Sequence, residues 1–409
     1  MFKQHIIVLL PVLLLSYSSP RTDLNHYGHY ADTLVLQTEK VPGFGRFIII
    51  AAGGSVNFRD TTEWRSLEYF KMFPDYPVFY PESLKSIKLE FKSLMMVPLR
   101  YYDPENCDTI VQKNISIKDR QLLVVSGYMD NKEVFIVDQN HNQDLRDDTV
   151  RVLQGLNWFS TDHLIKCQFE VEIGDETIED YGWYSIGIWH DHPIDMTAQH
   201  MISSFSIGDQ TFKLGVFDEN SADFSMLRPT IALLGENGFD RDTLFERDIL
   251  RKNEFIKLGR EYYRFHDYFS GSGTILLIKE EDFASKTGLQ VGNYAPDFKF
   301  VSINGDTLTS DDFIGKSLLI ANMSWCSGDD HKDYKEIIEA GLDDIQVIGL
   351  EWEIKDDIGG IIVDVTNPFN ENMYLQYRNA YSSYDAYLIN AEGRIEDKFG
   401  IWDWKSHLK

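Results

Sequence analysis

Cysteine is scarce, with only Cys107, Cys167 and Cys326 in 409 residues, so a small disulfide-stapled scaffold is excluded and the fold must rest on hydrophobic cores. Basic residues are also few, 39 Lys and Arg against 65 Asp and Glu, for a formal net charge of -26. Docking on a phosphate backbone needs clustered Lys and Arg, so nucleic acid is excluded as a partner. No run of about 20 apolar residues occurs, which a bilayer-crossing helix requires, so the chain is not expected to span a membrane. The Gly-x-Ser-x-Gly elbow, the His-Glu-x-x-His pair and the Gly-rich phosphate loop are all missing, which removes the motif-based cases for a serine hydrolase, a zinc protease and a nucleotide-binding enzyme.

What is present is ample core material, 43% apolar and 13% aromatic residues, in a chain long enough for two or three domains. The opening residues carry Lys3 and His5, an apolar run from Ile6 to Leu15 and small residues at Ser16, Ser18 and Ser19. That is the pattern of a secretory signal peptide over 1–19, removed on export, and it implies a periplasmic or extracellular protein. In such an oxidising compartment Cys107 and Cys167 can pair if their Cα atoms lie within about 7 Å, or both can stay as buried thiols; spacing alone leaves both open.

Between 20 and 290 the chain reads as short strands punctuated by Gly, Asn and Asp, among them 86–91, 122–128, 134–137, 167–173, 184–189, 211–217 and 274–278. Such spacing predicts β-sandwich-like modules. The segments Val134–Asn140 and Leu214–Asn220 both run an apolar strand into Asp-x-Asn, which suggests two related modules, 20–160 and 161–290.

After Glu280-Glu281-Asp282 the pattern changes to strands alternating with helices, predicting a parallel-containing α/β sheet over 291–409. The segments Gly292-x-x-Ala295-Pro296-Asp297-Phe298, Asn304-Gly305-Asp306, Asp312-Phe313-Ile314-Gly315-Lys316, the apolar strand into Trp325-Cys326, and Tyr387-Leu388-Ile389-Asn390-x-x-Gly393-Arg394-Ile395 follow in that order. In that order they resemble the thioredoxin-like domains of TlpA-like thiol-disulfide oxidoreductases and peroxiredoxins. The resemblance implies a multidomain chain, a β-rich amino-terminal region followed by an α/β thioredoxin-like domain, with Cys326 as the catalytic thiol and Trp325 shielding it. A cysteine between a buried strand and a helix start gains thiolate stabilisation from free backbone N–H groups and the helix dipole.

Two departures bear on that chemistry. Asp329 stands where a resolving cysteine belongs, so no Cys-x-x-Cys disulfide can form and a carboxylate opposes the thiolate. Tyr384 stands where the family carries a cis-proline, and a non-proline cis bond costs about 2.5–4 kcal/mol. The expectation is at most monothiol thiol-disulfide or peroxide chemistry at Cys326, with an exported protein or a small thiol as partner. The alternative is a redox-silent binding or assembly module.

A second pattern, Asp138-x-Asn140-x-Asn142-x-Asp144-x-x-x-Asp148, alternates oxygen side chains along one loop. Calcium takes six to eight oxygen ligands, and the pattern resembles part of an EF-hand loop, with Gln143 in place of the sixth-position Gly and Thr149 in place of the twelfth-position Glu. A structural calcium ion is the cofactor expectation; the competing one is a hairpin loop whose Asp and Asn side chains accept from their own backbone. His190, His192 and His200 with Asp191 and Asp195 form a weaker metal pattern, and Glu236–Asp242 reads as a turn.

Overall fold

The computed structural model describes residues 32–43, 45, 54–55, 59–60, 79–93, 99–103, 108–111, 121–153, 164–173, 175–189, 192–218, 224, 226, 228–242, 244, 246–323, 330–342, 344–352, 359–377 and 386–408. The signal segment 1–19 lies outside them. Among the described residues no helix is long and apolar enough to cross a membrane.

Period-two burial builds the first pair of sheets. In strand Ile165–Ile173, Ile165, Cys167, Phe169 and Val171 are buried while Lys166, Gln168 and Glu170 face solvent, the signature of a strand with one face on a core. That face meets Leu122, Val124, Phe135 and Val137 of strands Gln121–Met129 and Lys132–Val137. The alternate residues of those two strands, Leu123, Val125, Val134 and Ile136, pack on a second cluster with Leu84 and Leu145, so both faces of this hairpin are covered. Leu145 comes from the loop 138–148, which thereby closes over the sheet.

The second pair of sheets is assembled from both ends of the β-rich region. Strand Thr33–Gln37 pairs with Thr274–Glu280, and Glu39–Pro42 pairs with Gln199–Ile207. Leu36, Val216, Phe265 and Leu277 meet in its core. The expected division at 160–161 therefore does not separate the cores: strands on both sides of it share the first core, and residues 33–42 belong with 199–280. The reason is that pairing partners are chosen by burial across the whole chain, which a local repeat does not report. Polar links join the two sandwiches: Lys40 pairs with Asp180, and Arg100 makes a bidentate pair with Asp267 at 2.7 and 2.9 Å.

The carboxy-terminal sheet holds β1 (Ser317–Asn322), β2 (Ile345–Glu351), β3 (Ile361–Asp364), β4 (Ala386–Ile389) and β5 (Ile395–Phe399) in the order β3-β2-β1-β4-β5. The first three are parallel, β4 runs antiparallel to β1, and β5 runs antiparallel to β4. Strand β1 is buried from Leu318 to Asn322, which its continuous apolar run requires of a strand covered on both faces. Helix α1 (Asp330–Ala340) lays Tyr334 and Ile337 on one face, and Gly341 ends it in the left-handed conformation (φ 61°). Helix α2 (Glu371–Tyr377) and the hairpin Lys299–Val301/Thr307–Thr309 cover the other face through Met373, Tyr377, Phe298 and Phe300. Strands alternating with helices on both faces of a mixed sheet are what the resemblance implied for 291–409.

Candidate functional site

The parallel strands end where the thiol chemistry was expected. Strand β1 stops at Asn322, Met323 donates its backbone N–H to Leu350 O at 2.9 Å, and α1 begins at Asp330. Cys326 and Trp325 fall between these elements and lie outside the described residues, as do Asp329 and Tyr384.

The described residues around that gap hold a feature sequence reasoning missed. Glu351, the last residue of β2, is only 3% exposed. Its Oε1 accepts from Trp352 N at 2.7 Å, and its Oε2 lies 2.9 Å from His331 Nε2 in the first turn of α1. Isolating a carboxylate from water costs several kcal/mol unless hydrogen bonds or a cation meet it, so an acidic residue at the end of β2 is a chemical feature rather than filler. The only signal in the sequence was a charged residue closing the apolar run Val347-Ile348-Gly349-Leu350. Beside it Trp352 is half-exposed and meets Tyr374 edge-on, ring centres 5.6 Å apart.

The loop 138–148 is described throughout. Asp138 is buried and accepts from Asn142 N and Gln143 N at 3.1 and 3.0 Å; Asn140 accepts from Asn142 N at 3.1 Å, and Asn142 accepts from Asp144 N at 2.7 Å. Gln143, at the position where an EF-hand loop carries Gly, adopts that position's left-handed backbone (φ 63°). Asp144 turns to Arg146, at 2.6 and 2.5 Å, and the guanidinium holds its carboxyl below the usual carboxylate range. Burial pushes the carboxyls of Asp138 and Asp148 up, and the negative charge of Asp148 raises that of Asp138 further. Asp148 Oδ1 accepts from Gln139 N at 3.3 Å, while its Oδ2 is buried without a hydrogen bond among the described residues. Among the described residues no three His, Cys, Asp or Glu side chains gather as a metal cluster; here amides Asn140 and Asn142 stand between the acids.

The remaining candidates separate. Cys167 is a free thiol at 0% exposure in the first core, and burial pushes its pKa up; Cys107 lies outside the described residues. His200 is buried with Nδ1 2.8 Å from Gly43 O, a core role, and His190 and Asp191 lie outside the described residues. Asn237 and Gly238 form the two-residue turn between Glu236 and Phe239, with φ 52° and 80°.

No family model matches the chain, and no curated protein matches it. Among solved structures, the chain is similar to the thioredoxin domain of a thiol-disulfide oxidoreductase from Bacteroides vulgatus, at 15% identity over 30% of this chain and 100% of that one, TM-score 0.24. It is likewise similar to a thiol:disulfide interchange protein from a Bacteroides species, at 15% identity over 31% of this chain and 91% of that one, TM-score 0.24. The order and direction of β1–β5 give the carboxy-terminal sheet a thioredoxin-like fold.

Proposed function

We propose that this is an exported thioredoxin-like protein in which Cys326 acts as a lone nucleophilic thiol. The observation that carries the reading is the position of the Trp325-Cys326 pair in the chain, between the carboxyl end of central strand β1 and the start of α1. The Cys326 thiolate attacks one sulfur of a disulfide in an exported protein or small molecule, forming a mixed disulfide and expelling the other sulfur as a thiolate. An external thiolate then attacks the mixed disulfide, regenerating Cys326 and leaving the new disulfide on the substrate. The external thiol is required because Asp329 replaces the second cysteine. The test is the rate of Cys326 alkylation against pH on the full chain: a midpoint below about 8.5 supports the reading, and one at or above it leaves a redox-silent binding module.

A second reading concerns 138–148 and is favoured by the buried, unbonded Oδ2 of Asp148 beside the Asp138 carboxylate. A structural calcium ion would be held by Asp138, Asn140, Asn142, Asp144 and Asp148, supplying positive charge where two carboxyls are buried together. Calcium titration followed by thermal unfolding tests it: a rise in melting temperature that Asp138→Ala abolishes supports the site, and a rise that survives the substitution refutes it.

A further inference from the structure

Strand Glu261–Phe269 of the second sandwich carries basic side chains that belong to neither the thiol nor the calcium loop. Asp267, nearly buried, shares its carboxylate between Arg100, bidentate at 2.7 and 2.9 Å, and Lys252 Nζ at 2.7 Å. Beside them Arg264 donates through Nη1 to two neutral acceptors, Asn253 Oδ1 at 3.1 Å and His266 Nδ1 at 3.3 Å. Among the described residues no hydrogen bond or ion pair reaches its Nε or Nη2. Three positive charges thus meet one carboxylate, in a chain whose formal net charge is -26. Glu254, two residues after Lys252, is engaged elsewhere, with Oε1 3.2 Å from Lys398 Nζ and Oε2 accepting from Arg251 N.

An arginine donates at every nitrogen and accepts at none, so the bond from Arg264 requires a lone pair on His266 Nδ1 and places the ring proton on Nε2. Burial, with the charges of Arg264 and Lys252, holds the His266 imidazole below its ordinary value, which keeps that neutral tautomer in place at neutral pH. His266 is also where the register of the strand against Thr274–Glu280 slips, and such bulges re-aim side chains next to functional sites. The cluster therefore offers donors: the planar Nε/Nη2 edge of Arg264, the remaining N–H groups of the half-exposed Lys252, and His266 Nε2–H. A guanidinium fork beside a lysine suits a tetrahedral oxyanion, which accepts at every oxygen. We propose that Arg264, Lys252 and His266 bind a small phosphate-type oxyanion, free or as a monoester, whose charge offsets the positive surplus around Asp267.

The test is titration of the full chain, labelled at histidine Cε1, with inorganic phosphate and with glycerol phosphate at pH about 7.5, where both are largely dianions. The His266 signal is assigned by its loss in His266→Gln. A saturable shift of that signal is expected, and the ligand that saturates at lower concentration identifies the free ion or the ester as the source. Arg264→Gln should weaken binding about ten-fold or more, and Arg264→Lys, which keeps the charge but not the fork, should weaken it several-fold. Arg241→Gln, in the surface pair with Asp248, should leave binding unchanged. No saturable shift with either ligand overturns the proposal. Equal affinity in the parent and Arg264→Lys overturns it too, as does a loss in Arg241→Gln as large as that in Arg264→Gln.

Discussion

Tyr334 offers the sharpest quantitative check on the packing of α1 against the sheet. Its ring is fully buried, and its hydroxyl has no hydrogen-bond partner among the described residues. Glycines make room for it: a Cβ at Gly349 would stand 3.0 Å from the ring, and one at Gly360 2.7 Å from the hydroxyl oxygen. Leaving a buried hydroxyl unbonded costs about 1–3 kcal/mol, and its removal gives part of that back while forfeiting the contacts of one oxygen atom. Tyr334→Phe should therefore be neutral to about 1 kcal/mol more stable. Gly360→Ala, at φ 72°, should lose about 1–3 kcal/mol through backbone strain and the clash. The double variant should lose less than Gly360→Ala alone, because the phenylalanine lacks the atom the new methyl meets. Urea unfolding at constant slope measures all three. A loss above about 1 kcal/mol in Tyr334→Phe would show instead that the hydroxyl is bonded.

The loop 138–148 yields two further outcomes. Gln143→Gly should stabilise the protein by roughly 0.5–1 kcal/mol, since glycine takes φ 63° without a Cβ clash; a loss in chemical denaturation would contradict the strain assigned there. Asp148 has its carboxyl pushed up by burial, so the folded form holds its proton more tightly than the unfolded chain: the associated stability is complete below the ordinary carboxylate value of about 4 and is lost as pH rises through the raised folded value. Asp148→Asn should thus be more stable than the parent at pH 7 in chelator, with the difference closing toward pH 4. In calcium the sign should reverse, because the substitution removes a ligand's charge; a variant less stable at pH 7 in chelator would contradict the argument.

Local signals in the sequence were legible where they report burial. The strands expected at 122–128, 134–137 and 211–217 appear at 121–129, 132–137 and 210–218, because period-two apolar patterns act within one element. Pairing was not legible. Thr33–Gln37 joins Thr274–Glu280 across most of the β-rich region, and no short pattern specifies so distant a partner. Buried charges were hidden for a different reason: Glu351 and Lys398 read as surface residues in sequence, since only the packed structure shows that His331 and Glu254 meet them. The loop at 138–148 was legible as a run of oxygen side chains, but the turn of Asp144 toward Arg146 depends on a neighbour the pattern did not weigh.

Alkylation of the full-length chain by iodoacetamide, followed residue by residue in mass spectra from pH 5 to 10, reads the reactivity of the Cys326 sulfur. Cys167 serves as the internal control, since burial raises its pKa and shields its sulfur from solvent. A nucleophilic Cys326 is modified with a midpoint below about 8.5 while Cys167 is spared. Cys326 reacting no faster than Cys167, or only above that value, would contradict it.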